Sequence, residues 1–228
     1  MGRGSLSVDL PAEGEVHVFY IDLSVSADEA RRLRGFVHPD ESGRGKERIV
    51  AWGRAREILA SYLRCNPEDL RVVRPPSGKP SLLGSDLSFS LSYAHDKAAL
   101  AVTTRLPIGV DIEFLDRVIE PLAIARRFFT QEEVEAILDL SDRREGFFRA
   151  WVRKEAYLKA IGGSVPADLS RFSVSIESDL PRIIASDLSR RHFSLVDLAP
   201  PSGYIAAIAL GGEIKKIEVF GNSTPGGT

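Results

Sequence analysis

A single cysteine, Cys65, stands among 228 residues, so no disulfide can form within the chain. No run approaches the roughly 18 to 20 apolar residues of a membrane helix, and no apolar signal-peptide core follows the basic start. An excess of one charge is also missing. Thirty lysines and arginines face 32 aspartates and glutamates, and a formal charge of −2 argues against a nucleic-acid surface built on bulk positive charge. The histidines, His17, His38, His95 and His192, are scattered, and with one cysteine they offer no zinc-type spacing of soft ligands. Any metal is therefore expected to be hard and bound by oxygen. There is no Gly-x-Ser-x-Gly elbow and no P-loop, and Gly43-Arg44-Gly45-Lys46 reads as a flexible basic loop. The expectation is a cytoplasmic, monomeric protein with no membrane or nucleic-acid partner.

The length suits one large domain or two small ones. Val16 to Leu23 reads as a strand, Ser26 caps a short amphipathic helix through Leu33, and Glu47 to Leu63 has helical spacing. A breaker-rich loop, Pro75 to Pro80, precedes a hairpin of Leu87 to Ser92 and Ala98 to Thr103 around His95-Asp96-Lys97. The grammar then restarts with a strand at Ile108 to Phe114. Helices follow around Leu122 to Phe129, Gln131 to Leu140 and Arg144 to Ile161, then strands near Phe172 to Ile176, Phe193 to Leu198 and Tyr204 to Leu210. Short echoes support a repeat: Tyr20-Ile21-Asp22-Leu23 with Gly109-Val110-Asp111-Ile112, Ala51-Trp52-x-Arg54 with Ala150-Trp151-x-Arg153, and Phe89-Ser90-Leu91 with Phe193-Ser194-Leu195. The predicted organisation is a duplication, with two similar halves, 1–105 and 106–220. A disordered tail, 221–228, follows. A site is expected in the cleft between the halves.

Chemistry concentrates in the second half. In Gly109-Val110-Asp111-Ile112-Glu113, strand alternation puts both carboxylates on one face, able to bracket a hard cation; alone, they also fit a solvated strand end. In Trp151 to Gly163, Glu155 and Lys159 are four apart and share a helix face, which also fits a plain surface pair. Together, three acids and a lysine suit Mg²⁺ and a phosphorylated substrate.

GVDIE (Gly109 to Glu113), RRFFTQEE (Arg126 to Glu133) and WVRKEAYLKAIGG (Trp151 to Gly163), in that order, resemble the 4′-phosphopantetheinyl transferases of the Sfp type. Gly78-Lys79-Pro80 and FSLSYAHD (Phe89 to Asp96) add to the likeness, which covers roughly residues 45 to 210. The resemblance implies a pseudosymmetric two-half α+β fold with coenzyme A and Mg²⁺ in the cleft. It implies transfer of the phosphopantetheine arm to a serine of an acyl or peptidyl carrier protein, with release of adenosine 3′,5′-bisphosphate. It assigns Asp111, Glu113 and Glu155 to the metal, Glu155 and Lys159 to catalysis, Lys154 and Lys159 to the two helix lysines of the coenzyme site, of which Lys159 faces the phosphates, and Lys79 and Pro80 to the loop near the adenosine. The family strand often reads Ser-His-Ser where this chain has Ser92-Tyr93-Ala94, so Tyr93 or His95 takes the place of the histidine. The arginine usual near the start of the first long helix is replaced at Trp52, leaving Arg48, Arg54 or Arg56; Arg56 holds in the first half the place of Glu155 in the second. Two rivals stay open: a Mg²⁺-dependent nucleotide phosphohydrolase, and a module that binds coenzyme A or a carrier domain without turnover.

Overall fold

A computed structural model of the chain describes residues 9–42, 45–75, 78–164, 166–177 and 180–221. Gly43 and Arg44 of the basic loop, Pro76 and Ser77 of the proline loop, and the tail 222–228 lie outside the described residues.

The first half opens with β1 (Glu15–Asp22), then α1 (Ala27–Arg34), α2 (Pro39–Ser42) and the long α3 (Lys46–Leu63). Two short strands, β2 (Val72–Val73) and β3 (Ser81–Leu82), precede the hairpin of β4 (Leu87–Ala94) and β5 (Lys97–Thr104). The second half repeats the plan. It has β6 (Ile108–Phe114), α4 (Pro121–Phe128), α5 (Gln131–Asp139), the long α6 (Arg143–Ile161), the short β7 (Phe172–Val174) and β8 (Ile183–Ser186), and the pair β9 (Ser194–Leu198) and β10 (Tyr204–Leu210). A last strand, β11 (Lys216–Phe220), follows. No described helix is long and apolar enough to cross a membrane.

Local chemistry sets the helix ends. Ser26 caps α1 by accepting from the Glu29 N–H, and Thr130 and Glu133 form a reciprocal capping box on α5. Gly162 ends α6 at φ 72, in the left-handed region that favours glycine.

Both halves order their strands first, third, second: β1-β5-β4 and β6-β10-β9, antiparallel throughout, with the long helix between the first two in sequence. The pseudo-repeat therefore exists, but the echo of Tyr20-Ile21-Asp22 with Gly109-Val110-Asp111 does not keep its face. Tyr20 packs with the second sheet, whereas Gly109 faces α6, so the 89-residue offset sets Asp22 and Asp111 on opposite faces relative to the long helices. The β1 residues that face α3, as Asp111 faces α6, include Phe19 and Ile21, both in the first half's core.

The core is layered. Phe19, Ile21, Phe89, Leu100 and Val102 turn one face of the first sheet towards α3; Val16, Val18, Tyr20, Ala99 and Ala101 turn the other against β6 and β10. The far face of the second sheet, through Leu195, Ala207 and Ala209, meets α6. β1 is thus apolar on both faces, which is why it reads as a continuous hydrophobic run. One boundary needs correction. The span 106–220 takes in β11, yet this strand pairs parallel to β1 and widens the first sheet to β11-β1-β5-β4. With Leu210 followed by Gly211-Gly212 and a single five-residue strand, nothing local in the sequence shows where that strand pairs.

Candidate active site

Gly109 determines how near α6 can come to β6. A β-carbon at this position would lie 2.0 Å from the Ala156 carbonyl oxygen and 2.5 Å from the Ala160 nitrogen. Only a glycine facing alanines lets strand and helix approach so closely. Two residues on, the side chain of Asp111 leaves the same face of the strand and meets the helix positions that flank those alanines, Glu155 and Lys159.

Asp111 is buried. Its Oδ1 accepts from Ser92 Oγ at 2.7 Å and from Lys159 Nζ at 2.6 Å, and the same ammonium lies 2.8 Å from Ser92 Oγ and 3.7 Å from Glu155. Glu113 is held by Arg117 at 3.0 Å. Burial, reinforced by Asp111, raises the Glu113 carboxyl above its ordinary range and pushes Glu155 up to about 8. Burial works against the charge on Lys159, but Asp111 and Glu155 outweigh it and raise the ammonium's pKa.

The donor set fits a hard cation on two counts. Asp111 Oδ2 is buried with no hydrogen-bond partner, and three acids crowd around too little positive charge. The set is nevertheless open here. Lys159 sits on Asp111, and Asp111, Glu113 and Glu155 do not bring one oxygen each within 4.8 Å of one another.

Beside the acids opens a cleft of about 430 Å³ whose walls include Arg48, Trp52, Arg74, Lys79, Tyr93 and Lys159. Pro80 lines it too. Lys79 donates to the carbonyls of Ile108 (3.0 Å) and Ala160 (2.8 Å), tying β6 to the last turn of α6, and burial draws its pKa down to about 8. Arg48 donates to the Glu41 carbonyl at 2.7 Å. Sequence reasoning missed Arg74, whose guanidinium lies 5.0 Å from the Trp52 ring centroid. Its place at the foot of the proline loop was the available signal. Tyr93, 38% exposed, lines the cleft. His95 sits in the hairpin turn at φ 51, stacked on Phe114 at 4.6 Å, and does not.

Three expected cofactor residues are elsewhere. Arg54 is engaged by Glu29 at 2.7 Å and Glu57 at 2.8 Å. Arg56 is buried, bonded to Glu41 and to the carbonyls of Pro67 and Leu70, so it pins α2 and the turn after α3. Lys154 is completely buried; its ammonium meets both Glu133 oxygens at 2.7 Å and the Phe172 carbonyl at 2.6 Å. Five residues before Lys159, Lys154 projects from a different face of α6. Lys154→Met strands the Glu133 carboxylate and should cost roughly 3 kcal/mol in denaturant unfolding. A small stability cost would return Lys154 to the cleft.

Paired strand acids facing a helix Glu-Lys pair, beside a cationic cleft, suit an enzyme that acts on phosphate esters. Residues 107–209 match the model of the 4′-phosphopantetheinyl transferase superfamily. The chain is 32% identical over 218 residues to HetI, a 4′-phosphopantetheinyl transferase of Nostoc sp., covering 87% of this chain and 88% of that protein. It is 24% identical over 177 residues to the 4′-phosphopantetheinyl transferase Sfp of Bacillus subtilis, covering 72% and 78%. A solved holo-acyl-carrier-protein synthase of Thermotoga maritima superposes on 47% of this chain and 64% of its own, with a TM-score of 0.41 and 19% identity. The chain belongs to the 4′-phosphopantetheinyl transferase family. It is a 4′-phosphopantetheinyl transferase.

Proposed function

We propose that this enzyme moves the 4′-phosphopantetheine arm of coenzyme A onto a serine of an acyl or peptidyl carrier protein in a Mg²⁺-dependent reaction. The observation that carries the reading is the Asp111, Glu155 and Lys159 cluster, whose lysine also lines a cleft with Arg48, Arg74 and Lys79 on its walls. Coenzyme A brings several phosphate charges, and a chain of net charge −2 must meet them locally.

In this reading the serine oxygen bonds to the phosphorus carrying the pantetheine arm, and the bond from that phosphorus to the bridging oxygen breaks. Adenosine 3′,5′-bisphosphate departs with the electron pair. Glu155 would take the serine proton, directly or through a water. Lys159 would offset charge on the departing phosphate, and Ser92 orients Asp111 through its hydroxyl. Asp111, Glu113 and Glu155 would hold Mg²⁺, which when bound supplies charge neutralisation of the pyrophosphate.

Incubation with apo carrier protein, coenzyme A and Mg²⁺ should add one phosphopantetheinyl group to the carrier's mass, and chelation of Mg²⁺ should stop it. Free phosphopantetheine with an unmodified carrier would mark a phosphohydrolase instead, and binding without any product a non-catalytic module.

Tyr93 offers the cleft one neutral hydroxyl where a histidine could offer a charge-assisted donor. Tyr93→Phe should weaken coenzyme A binding by about 0.5 to 1.5 kcal/mol in calorimetry. Tyr93→His should bind more tightly below about pH 6.5 than above it, because the imidazole charges there. A silent Tyr93→Phe with a pH-independent Tyr93→His would reduce this position to packing.

A further inference from the structure

Outside the acid cluster, the first sheet carries a second set of ligating groups. Glu15 and His17 are two apart on β1 and share a face, and the parallel pairing of β11 places Glu218 opposite His17. One donor atom from each of Glu15, His17 and Glu218 lies within 4.8 Å of the others, the one such three-residue group among the described residues. His17 Nε2 is 3.8 Å from Glu15 Oε1 and 3.6 Å from Glu218 Oε2, too long for hydrogen bonds and spaced as ligands around a shared ion would be before closing on it.

The imidazole is aimed and held. His17 is only 4% exposed, its ring packs against Phe220, and its Nδ1 lies 2.7 Å from the Tyr62 hydroxyl, an α3 residue outside the cluster. A hydrogen bond on one ring nitrogen that leaves the other facing two carboxylates is the arrangement that orients metal-bound histidines. The cation now present is Lys216, whose exposed ammonium is 2.9 Å from Glu15 and also contacts Glu218. No other Lys or Arg is paired with these two carboxylates among the described residues.

We propose that Glu15, His17 and Glu218 form a binding site for a borderline divalent ion of the Zn²⁺ class, which displaces Lys216 and clamps the C-terminal strand to β1. One imidazole and two carboxylates favour such an ion over Mg²⁺, which prefers an all-oxygen shell. The site shares no residue with the Asp111 cluster. Histidine spacing along the chain gives no sign of such a group, because Glu218 reaches His17 only through the fold.

The test uses the full chain, stripped with chelator and kept in excess Mg²⁺ so that all-oxygen sites are filled. Calorimetry with ZnCl₂ should show one equivalent bound, Co²⁺ should give visible d–d bands, and Zn²⁺ should raise the melting temperature. Glu218→Gln, at a partly exposed position, should weaken Zn²⁺ binding at least about tenfold and abolish the thermal shift. Lys216→Met should tighten binding, because the competing ammonium is gone. Both variants should keep transferase activity. His17→Gln risks the buried Tyr62 contact, so Glu218→Gln and Lys216→Met carry the test. No saturable Zn²⁺ binding, or binding that neither variant changes, would overturn the proposal. So would loss of the Zn²⁺ equivalent in Asp111→Asn, which would place the ion in the catalytic cluster.

Discussion

Asp111→Ala should abolish carrier modification, lowering the rate on the order of 10³-fold or more, while the chain still folds. The carboxylate is the shared partner of the site: Ser92 and Lys159 both bond to its Oδ1, and its charge adds to the burial that raises the pKa of Glu113 and Glu155. Removing it takes away one expected metal ligand and the group that positions the lysine. The cost to folding is small for the same reasons. Oδ2 is buried without a partner, so no satisfied bond is lost there, and Lys159 still has Glu155 at 3.7 Å. Relief of repulsion on Glu155 offsets part of the lost ion pair. Thermal unfolding within a few degrees of the wild type, with no mass gain on the carrier, is the expected pair of results. Near-normal transfer by Asp111→Ala in Mg²⁺ would remove the acids from the mechanism.

Gly109→Ala should do the opposite, damaging the fold first. The added methyl group would meet the Ala156 carbonyl at 2.0 Å and the Ala160 nitrogen at 2.5 Å, and both obstacles are helix backbone with no rotamer to yield. Either α6 moves off β6, or the strand shifts and breaks the register with β10. We expect a destabilisation on the order of 4 kcal/mol or more, at the upper end for overpacking, read from denaturant unfolding. Whatever folds should transfer poorly, because any retreat of α6 carries Glu155 and Lys159 away from Asp111. Ala156→Gly in the Gly109→Ala background should not rescue it, since the clash is with the helix backbone and not the side chain. Wild-type stability would show that the strand and helix are less tightly apposed than the structure has them.

Much of the site was legible because its residues are close in sequence and carry periodicity. Alternation put Asp111 and Glu113 on one strand face, and the four-residue spacing put Glu155 and Lys159 on one helix face. Lys79 and Tyr93 were found through the likeness of their loops and do line the cleft. The failures share a cause. Arg54, Arg56 and Lys154 are the right chemical type in the right segments, but whether a cation is free to meet a ligand depends on which acids the fold places beside it. Glu57, Glu41 and Glu133 occupy these three, and Glu41 and Glu133 lie 15 and 21 residues away along the chain. Arg74 went unseen because its stacking partner, Trp52, belongs to another element.

The sequence by itself therefore determined the elements, the two-part plan and the acidic signature, since each is written in contacts between residues a few positions apart. The tertiary structure alone decided which strand faces meet the long helices, which separates Asp111 from its echo in the sequence, Asp22. It also decided the return of β11 to β1 and the meeting of Glu218 with His17. Those depend on pairings across up to two hundred residues, where side-chain patterning specifies a buried face but not which partner covers it.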